Sequence, residues 1–202
     1  MKVGPCWLRW LLAVPEAVLM LVLYAQAVKF IEKEPAHDLP LHRLAGQTGI
    51  GLAIGVSYFI LVVGTMAAFG AYRISGIGTD WQGIVNSFIG CMFTGIGEEI
   101  VFRGVVFRWL DERLGFAAAL ILSALLFGVM HIANPGATVW SSIAIAIEAG
   151  LLLGAAYKFS GTLWLPIGIH WAWNFTQGSI FGLQVSGGDP RPSLFVPSVD
   201  GP

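Results

Sequence analysis

The sequence predicts an all-α fold, a polytopic transmembrane helical bundle of about six spans, and three observations carry that reading. Hydrophobic residues make up 56% of the 202 and charged residues only 11%, against roughly 25% charged in an average soluble domain. Mean hydropathy is +0.75. Apolar stretches recur at lengths close to the roughly 20 residues that a helix needs to cross a bilayer. Eight Trp and thirteen Phe suit interfacial belts and lipid-facing packing. The 26 Gly suit helices that must approach closely because water exclusion does not drive their association, and the GxxxG spacings Gly51/Gly55 and Gly150/Gly154 fit such contacts.

Spans are expected near 7–28, 49–71, 83–107, 115–131, 139–158 and 162–182. Lys2 and Arg9 before an apolar run, with Ala25-Gln26-Ala27 after it, resemble a secretion signal, but Pro15-Glu16 interrupts the run and favours a retained membrane helix. The 29–46 connection carries Lys29, Glu32, Lys33, Glu34, Asp38 and Arg43 together with Pro35 and Pro40 and reads as a solvated loop. Residues 186–202 combine Gly and Pro too densely for a helix and read as an irregular tail. The organisation is thus one transmembrane domain over 1–185, with a core at 83–182. The net charge of -1 offers no electrostatic case for nucleic acid. Cys6 and Cys91 show neither CxxC spacing nor a disulfide framework and read as apolar residues.

Within the third span, "GIGEEIVFRG" places two glutamates where an ionisable side chain costs about 2.5–3.5 kcal/mol on insertion scales. Glu99 and Arg103 stand four apart, Glu first, the order that favours an ion pair on one helix face. Glu98 has no cation at that spacing and points about 100° away, towards the face of Phe102. Glu99 therefore reads as an anchor and Glu98 as a free carboxylate. "FGVMHIANP" puts Phe127 and His131 four apart, and "IGIHWAWNF" does the same for His170 and Asn174, so each helix carries one polar-bearing face.

Depth offers a check. If the third and fourth spans turn at Leu114-Gly115, Glu98 and His131 each lie about 16 residues from the turn, level at roughly 25 Å. His170 lies about nine residues beyond the Ser160-Gly161 turn, roughly 13 Å up. Extra helix at Arg108, Asp111, Glu112 and Arg113 is expected to close part of that gap, and tilt or a break at Gly95–Gly97 the rest.

A carboxylate, two imidazoles and an amide converging inside a membrane suit water activation: Glu98 as general base, His131 orienting or sharing the proton, His170 and Asn174 donating to an oxyanion. The same His131, His170 and Glu98 also form a reasonable ligand set for catalytic zinc with an open position. The residues leave both open.

These residues resemble the CAAX-processing and bacteriocin-processing intramembrane proteases, the CPBP or Abi family. The resemblance rests on "EEIVFR" (Glu98, Glu99, Arg103), "FGVMH" (Phe127, His131) and "HWAWN" (His170, Asn174), in that order on successive helices, over about residues 83–182. It implies a membrane-embedded endopeptidase with Glu98, His131, His170 and Asn174 as catalytic positions and Glu99, Arg103 and Phe127 as motif support. It further implies a mechanism either through zinc or through metal-free water activation. The partners it implies are membrane lipid and a membrane-associated protein or peptide substrate, and the short chain resembles bacterial members, which implies the bacterial cytoplasmic membrane.

Outside the motifs, Glu148 reads first as a hydrogen bond to a neighbouring helix and otherwise as a supporting partner of the site, Trp171 and Trp173 as packing or interfacial residues, and Asn134-Pro135 as a helix stop, with Asn134 near enough to hydrogen-bond at the site. From another class, a non-catalytic immunity or scaffold protein or a small transporter could use the same polar cluster. A transport relay would string ionisable groups through the membrane's depth, whereas these gather at one inferred level.

Overall fold

The computed structural model describes residues 6–199; residues 1–5, Lys2 among them, and 200–202 lie outside it, as do the side chains of residues 6–10, which include Cys6 and Arg9, and of Val199. Among the described residues six helices form the bundle: α1 Cys6–Glu32, α2 Leu44–Ala68, α3 Trp81–Leu114, α4 Phe116–Met130, α5 Val139–Ser160 and α6 Trp164–Phe175 with a π turn Thr176–Ile180. Among the described residues, five helical segments are long and apolar enough to cross a membrane. The exception, α6, is the buried centre: residues 162–170 are all buried, and the helix packs between α2 and α3.

Local sequence explains the helix ends. Asp80 caps α3 by accepting from the Gly83 amide at 2.8 Å, and Thr138 with Ser141 forms a reciprocal capping box at the start of α5. Gly115 and Gly161 take positive φ at the two turns on the opposite end of the bundle, a backbone region that costs glycine little. Small residues decide how closely α6 can sit. A methyl on Gly51 would lie 2.5 Å from the Leu165 carbonyl oxygen, one on Gly55 2.5 Å from that of Ile169, and one on Gly168 2.5 Å from that of Thr48. The α2–α6 seam is therefore a backbone-to-backbone contact, as the Gly51/Gly55 spacing suggests.

Two parts of the chain depart from expectation. The tail is not wholly irregular: Phe195–Val199 forms β2, antiparallel to β1 (Tyr72–Ile77), with Tyr72 opposite Val199 and a bulge between Ile74 and Gly76. Its pairing partner lies more than a hundred residues away, so local Gly and Pro content does not reveal it. Pro197 is tolerated because the strand is an edge. This ribbon ties down the end of α6, since Tyr72 donates to the Phe181 carbonyl at 2.9 Å and the Leu194 amide to Ser179 at 2.8 Å.

The 29–46 connection is not wholly solvated either. Glu32 pairs with Arg108, while Asp38 is buried at 5% exposure. The Asp38 Oδ2 accepts from the hydroxyls of Tyr24 (2.7 Å) and Tyr157 (3.1 Å), and its carbonyl accepts from the Leu163 amide at 2.9 Å. Those donors satisfy Oδ2 and the carbonyl, while Oδ1 is buried without a hydrogen bond.

Candidate active site

The polar side chains converge because of where α6 begins. Tyr24, bonded to Asp38, also lies 3.2 Å from the Gly104 carbonyl, and the Asp38 carbonyl accepts from the amide of Leu163, the residue before α6, so Leu163 stands near the level of Gly104 rather than down at Leu114. Counting from there, Glu98 is about six residues up α3 and His170 about seven up α6, or roughly 9–10 Å each. The height mismatch inferred from the turns disappears. No break occurs at Gly95–Gly97; α3 is α-helical through Glu99 and changes only afterwards, to a π segment over Ile100–Phe107. Such wide segments often mark functional sites. Two more, Ala146–Gly150 and Thr176–Ile180, flank the same region.

Glu99 and Arg103 pair as the spacing predicts. The Arg103 Nη1 donates to Glu99 Oε1 at 3.0 Å, both residues are at most 1% exposed, and Nη2 donates to the Gly150 carbonyl at 3.1 Å. Glu99 does more than anchor this arginine, however: the same Oε1 lies 2.7 Å from His170 Nδ1. The His131 Nδ1 lies 2.6 Å from the Phe127 carbonyl. A carbonyl and a carboxylate can only accept, which assigns the proton to Nδ1 in both rings. Each neutral imidazole then presents the lone pair of Nε2.

Both Nε2 atoms face Glu98, whose Oε2 is 3.8 Å from each. That oxygen is buried and makes no direct hydrogen bond to protein. The distance exceeds a hydrogen bond but suits a bridging water. Phe127, 1% exposed, is the spacer: its ring meets Phe102 edge-on at 4.9 Å, His131 at 4.7 Å and His170 at 5.9 Å, and the Arg103 guanidinium lies 4.6 Å from its centre. Asn174, one turn beyond His170, is buried and lines a cavity with it.

Two cavities flank the cluster. An apolar groove of about 670 Å3 between α3 and α4, lined by Phe93, Val101, Val106, Leu126 and Met130, has Glu98 on its wall. A more polar cavity of about 230 Å3 is lined by His170, Asn174, Ser141, Glu148, Gln177 and Gln184. Asn134 does not reach the site; it donates to the Ser186 carbonyl at 2.6 Å and joins the two loops over that cavity. Trp173 stacks on Tyr58 and Trp171 donates to the Phe88 carbonyl, so both pack.

Zinc was an open option in the sequence. The donor types suit it, yet ligands at about 2.0–2.1 Å around a tetrahedral ion stand about 3.3 Å apart, and the Glu98–imidazole separations are 3.8 Å. Among the described residues no group of three or more His, Cys, Asp or Glu is arranged to hold a metal. The residues as placed do not fit the ion, and the chemistry below uses none.

Fold and cluster together define a class: a polytopic helical membrane protein with a buried carboxylate–imidazole centre partway along its helices. Residues 79–176, just under half of the chain, match the family model described as Rce1-like, Type II CAAX prenyl endopeptidase. That segment, which contains Glu98, His131, His170 and Asn174, is similar to the CAAX-processing family of membrane proteases. No curated protein matches the chain, and no solved structure does. Asp38, Tyr24 and Tyr157 are the residues of this region that sequence reading misses. All three lack a local signal, because the contact joins positions 14 and 119 apart.

Proposed function

We propose that this chain is an intramembrane endopeptidase that hydrolyses a peptide bond of a membrane-associated protein or peptide, with Glu98 as the general base. The observation that carries the reading is the buried Glu98 Oε2, free of direct hydrogen bonds and equidistant from two imidazole Nε2 atoms. A water at that point gives one hydrogen to Glu98 and the other to His131 Nε2, leaving its lone pair directed at substrate. As Glu98 takes the proton, the water oxygen adds to the carbonyl carbon. The oxyanion that forms accepts from the side-chain amide N–H of Asn174. Glu98 then returns its proton to the leaving nitrogen as the C–N bond breaks.

The two cavities divide the work. The apolar groove offers an approach from the lipid for an apolar substrate segment, and the polar cavity a path for water. Glu99 orients His170 from behind and stays out of the chemistry, as its Oε1 is occupied by Arg103 and His170.

The test is a comparison of the native chain with Glu98→Gln, reconstituted in vesicles with a membrane-partitioning peptide library and read by mass spectrometry. Native protein is expected to cleave, and the variant to be slower by about 10²–10⁴-fold, the usual contribution of a positioned acid–base group. Thermal stability should be unchanged. Full activity in the variant removes Glu98 from the role of base.

A further inference from the structure

The polar cavity beside His170 contains a carboxylate that this mechanism does not use. Glu148 projects from the π segment Ala146–Gly150 near the middle of α5, at the point where the cavity meets a face of exposed Trp140, Ile143 and Ile147. The sequence suggested a bond to a neighbouring helix. Among the described residues no lysine, arginine or histidine pairs with Glu148, and no hydrogen bond reaches it. An intramembrane carboxylate without a partner needs a hydrated cavity or a cation supplied from elsewhere.

The rest of the lining narrows the choice. The cavity wall carries no lysine or arginine; beside His170, its polar groups are the side chains of Ser141, Asn174, Gln177, Gln184 and Ser186. Neutral amides and hydroxyls solvate either sign of charge, so the fixed charge of Glu148 sets the sign of the cavity, and an apolar wall of Phe59, Phe127 and Leu153 strengthens its field. Three of the four residues around Glu148 on its outer side are exposed and apolar, so this side of the cavity opens towards the membrane. Because His170 and Glu148 share one wall, a chain whose peptide bond lies at Glu98 and His170 can place a neighbouring side chain against Glu148.

We propose that Glu148 is a specificity residue that receives a basic side chain, lysine or arginine, of the substrate close to the bond being cleaved. This rests on the endopeptidase reading above for its biological meaning, but recognition can be measured without turnover.

The experiment uses the full chain in zwitterionic lipid nanodiscs, in a Glu98→Gln background that removes the base. The probes are fluorescent membrane-partitioning peptides in which one position, scanned along the chain, is lysine, norleucine or glutamate, and partitioning into empty nanodiscs is subtracted. At one or two positions the lysine peptide is expected to bind about tenfold tighter than norleucine, and more than that over glutamate. Adding Glu148→Gln should erase the preference, and Glu148→Lys should reverse it in favour of glutamate. Equal affinities at every position, or no saturable binding of any peptide, overturns the inference, as does a lysine preference that survives Glu148→Gln. If Glu148→Lys does not fold, Glu148→Gln decides alone. Cleavage of the same peptides by the native chain is measured in parallel: a charge preference without cleavage fails the endopeptidase reading and leaves the recognition site standing.

Discussion

The Glu99 Oε1 carboxylate oxygen lies 2.7 Å from His170 Nδ1 and 3.0 Å from Arg103 Nη1, so one buried carboxylate holds the imidazole and the guanidinium together. Its neighbour Glu98 reaches the same imidazole from the other side, at Nε2, across a water-sized distance. Adjacent glutamates thus serve unlike purposes, and removing each charge should have unlike consequences.

Glu99→Gln should destabilise the fold where Glu98→Gln does not. Breaking a buried ion pair from one side costs about 3–5 kcal/mol, because the partner's charge stays buried. The double variant Glu99→Gln with Arg103→Met should recover much of that loss while leaving activity low, since His170 has lost its support. Thermal unfolding in detergent, read beside cleavage, separates the two; equal stability of the two single variants would contradict the assignment.

Asp38→Ala should reduce both stability and activity although Asp38 lies far from any reacting atom. The buried Tyr157 hydroxyl loses its acceptor, at about 1–3 kcal/mol, Tyr24 keeps only the longer bond to the Gly104 carbonyl, and the loop that sets the height of α6 loosens. Asp38→Asn keeps one acceptor oxygen and should fall between. A cleavage rate that drops in proportion across Ala and Asn, with KM for substrate little changed, is the expected signature.

Gly55→Leu should prevent close docking of α6 on α2, because its Cβ alone would stand 2.5 Å from the Ile169 carbonyl. Overpacking in a tight seam typically costs about 1–3 kcal/mol, and backbone cannot rotate away as a side chain can. Gly64→Leu on the same helix meets nothing within 4 Å and is the control. A similar melting temperature for both variants would show that the seam is looser than described.

Chelation should leave activity intact and purified protein should carry zinc well below one ion per chain, because 3.8 Å is too wide between the Glu98 and imidazole donors for a tetrahedral ion. Metal content by mass spectrometry together with cleavage after chelator treatment checks this. Stoichiometric zinc whose removal stops cleavage would require the cluster to contract around the ion.

The sequence alone determined whatever depends on spacing within one helix. Glu99 and Arg103 pair, and Glu98 points away from them, because residues four apart share a helical face and residues one apart do not. The rings of Phe127 and His131 meet for the same reason. Composition was enough for the membrane bundle, since no water-soluble domain leaves so much apolar surface outward. Tertiary structure decided how the helices stand against one another. The level of His170 depends on Asp38, Tyr24 and Gly104, three positions with no common local pattern, and turn-based counting placed it roughly 12 Å too low. The β1–β2 ribbon likewise needed a partner strand over a hundred residues away. Helical periodicity is written in every few residues, whereas the register between helices is set by a handful of distant hydrogen bonds and glycine contacts that leave no periodic trace.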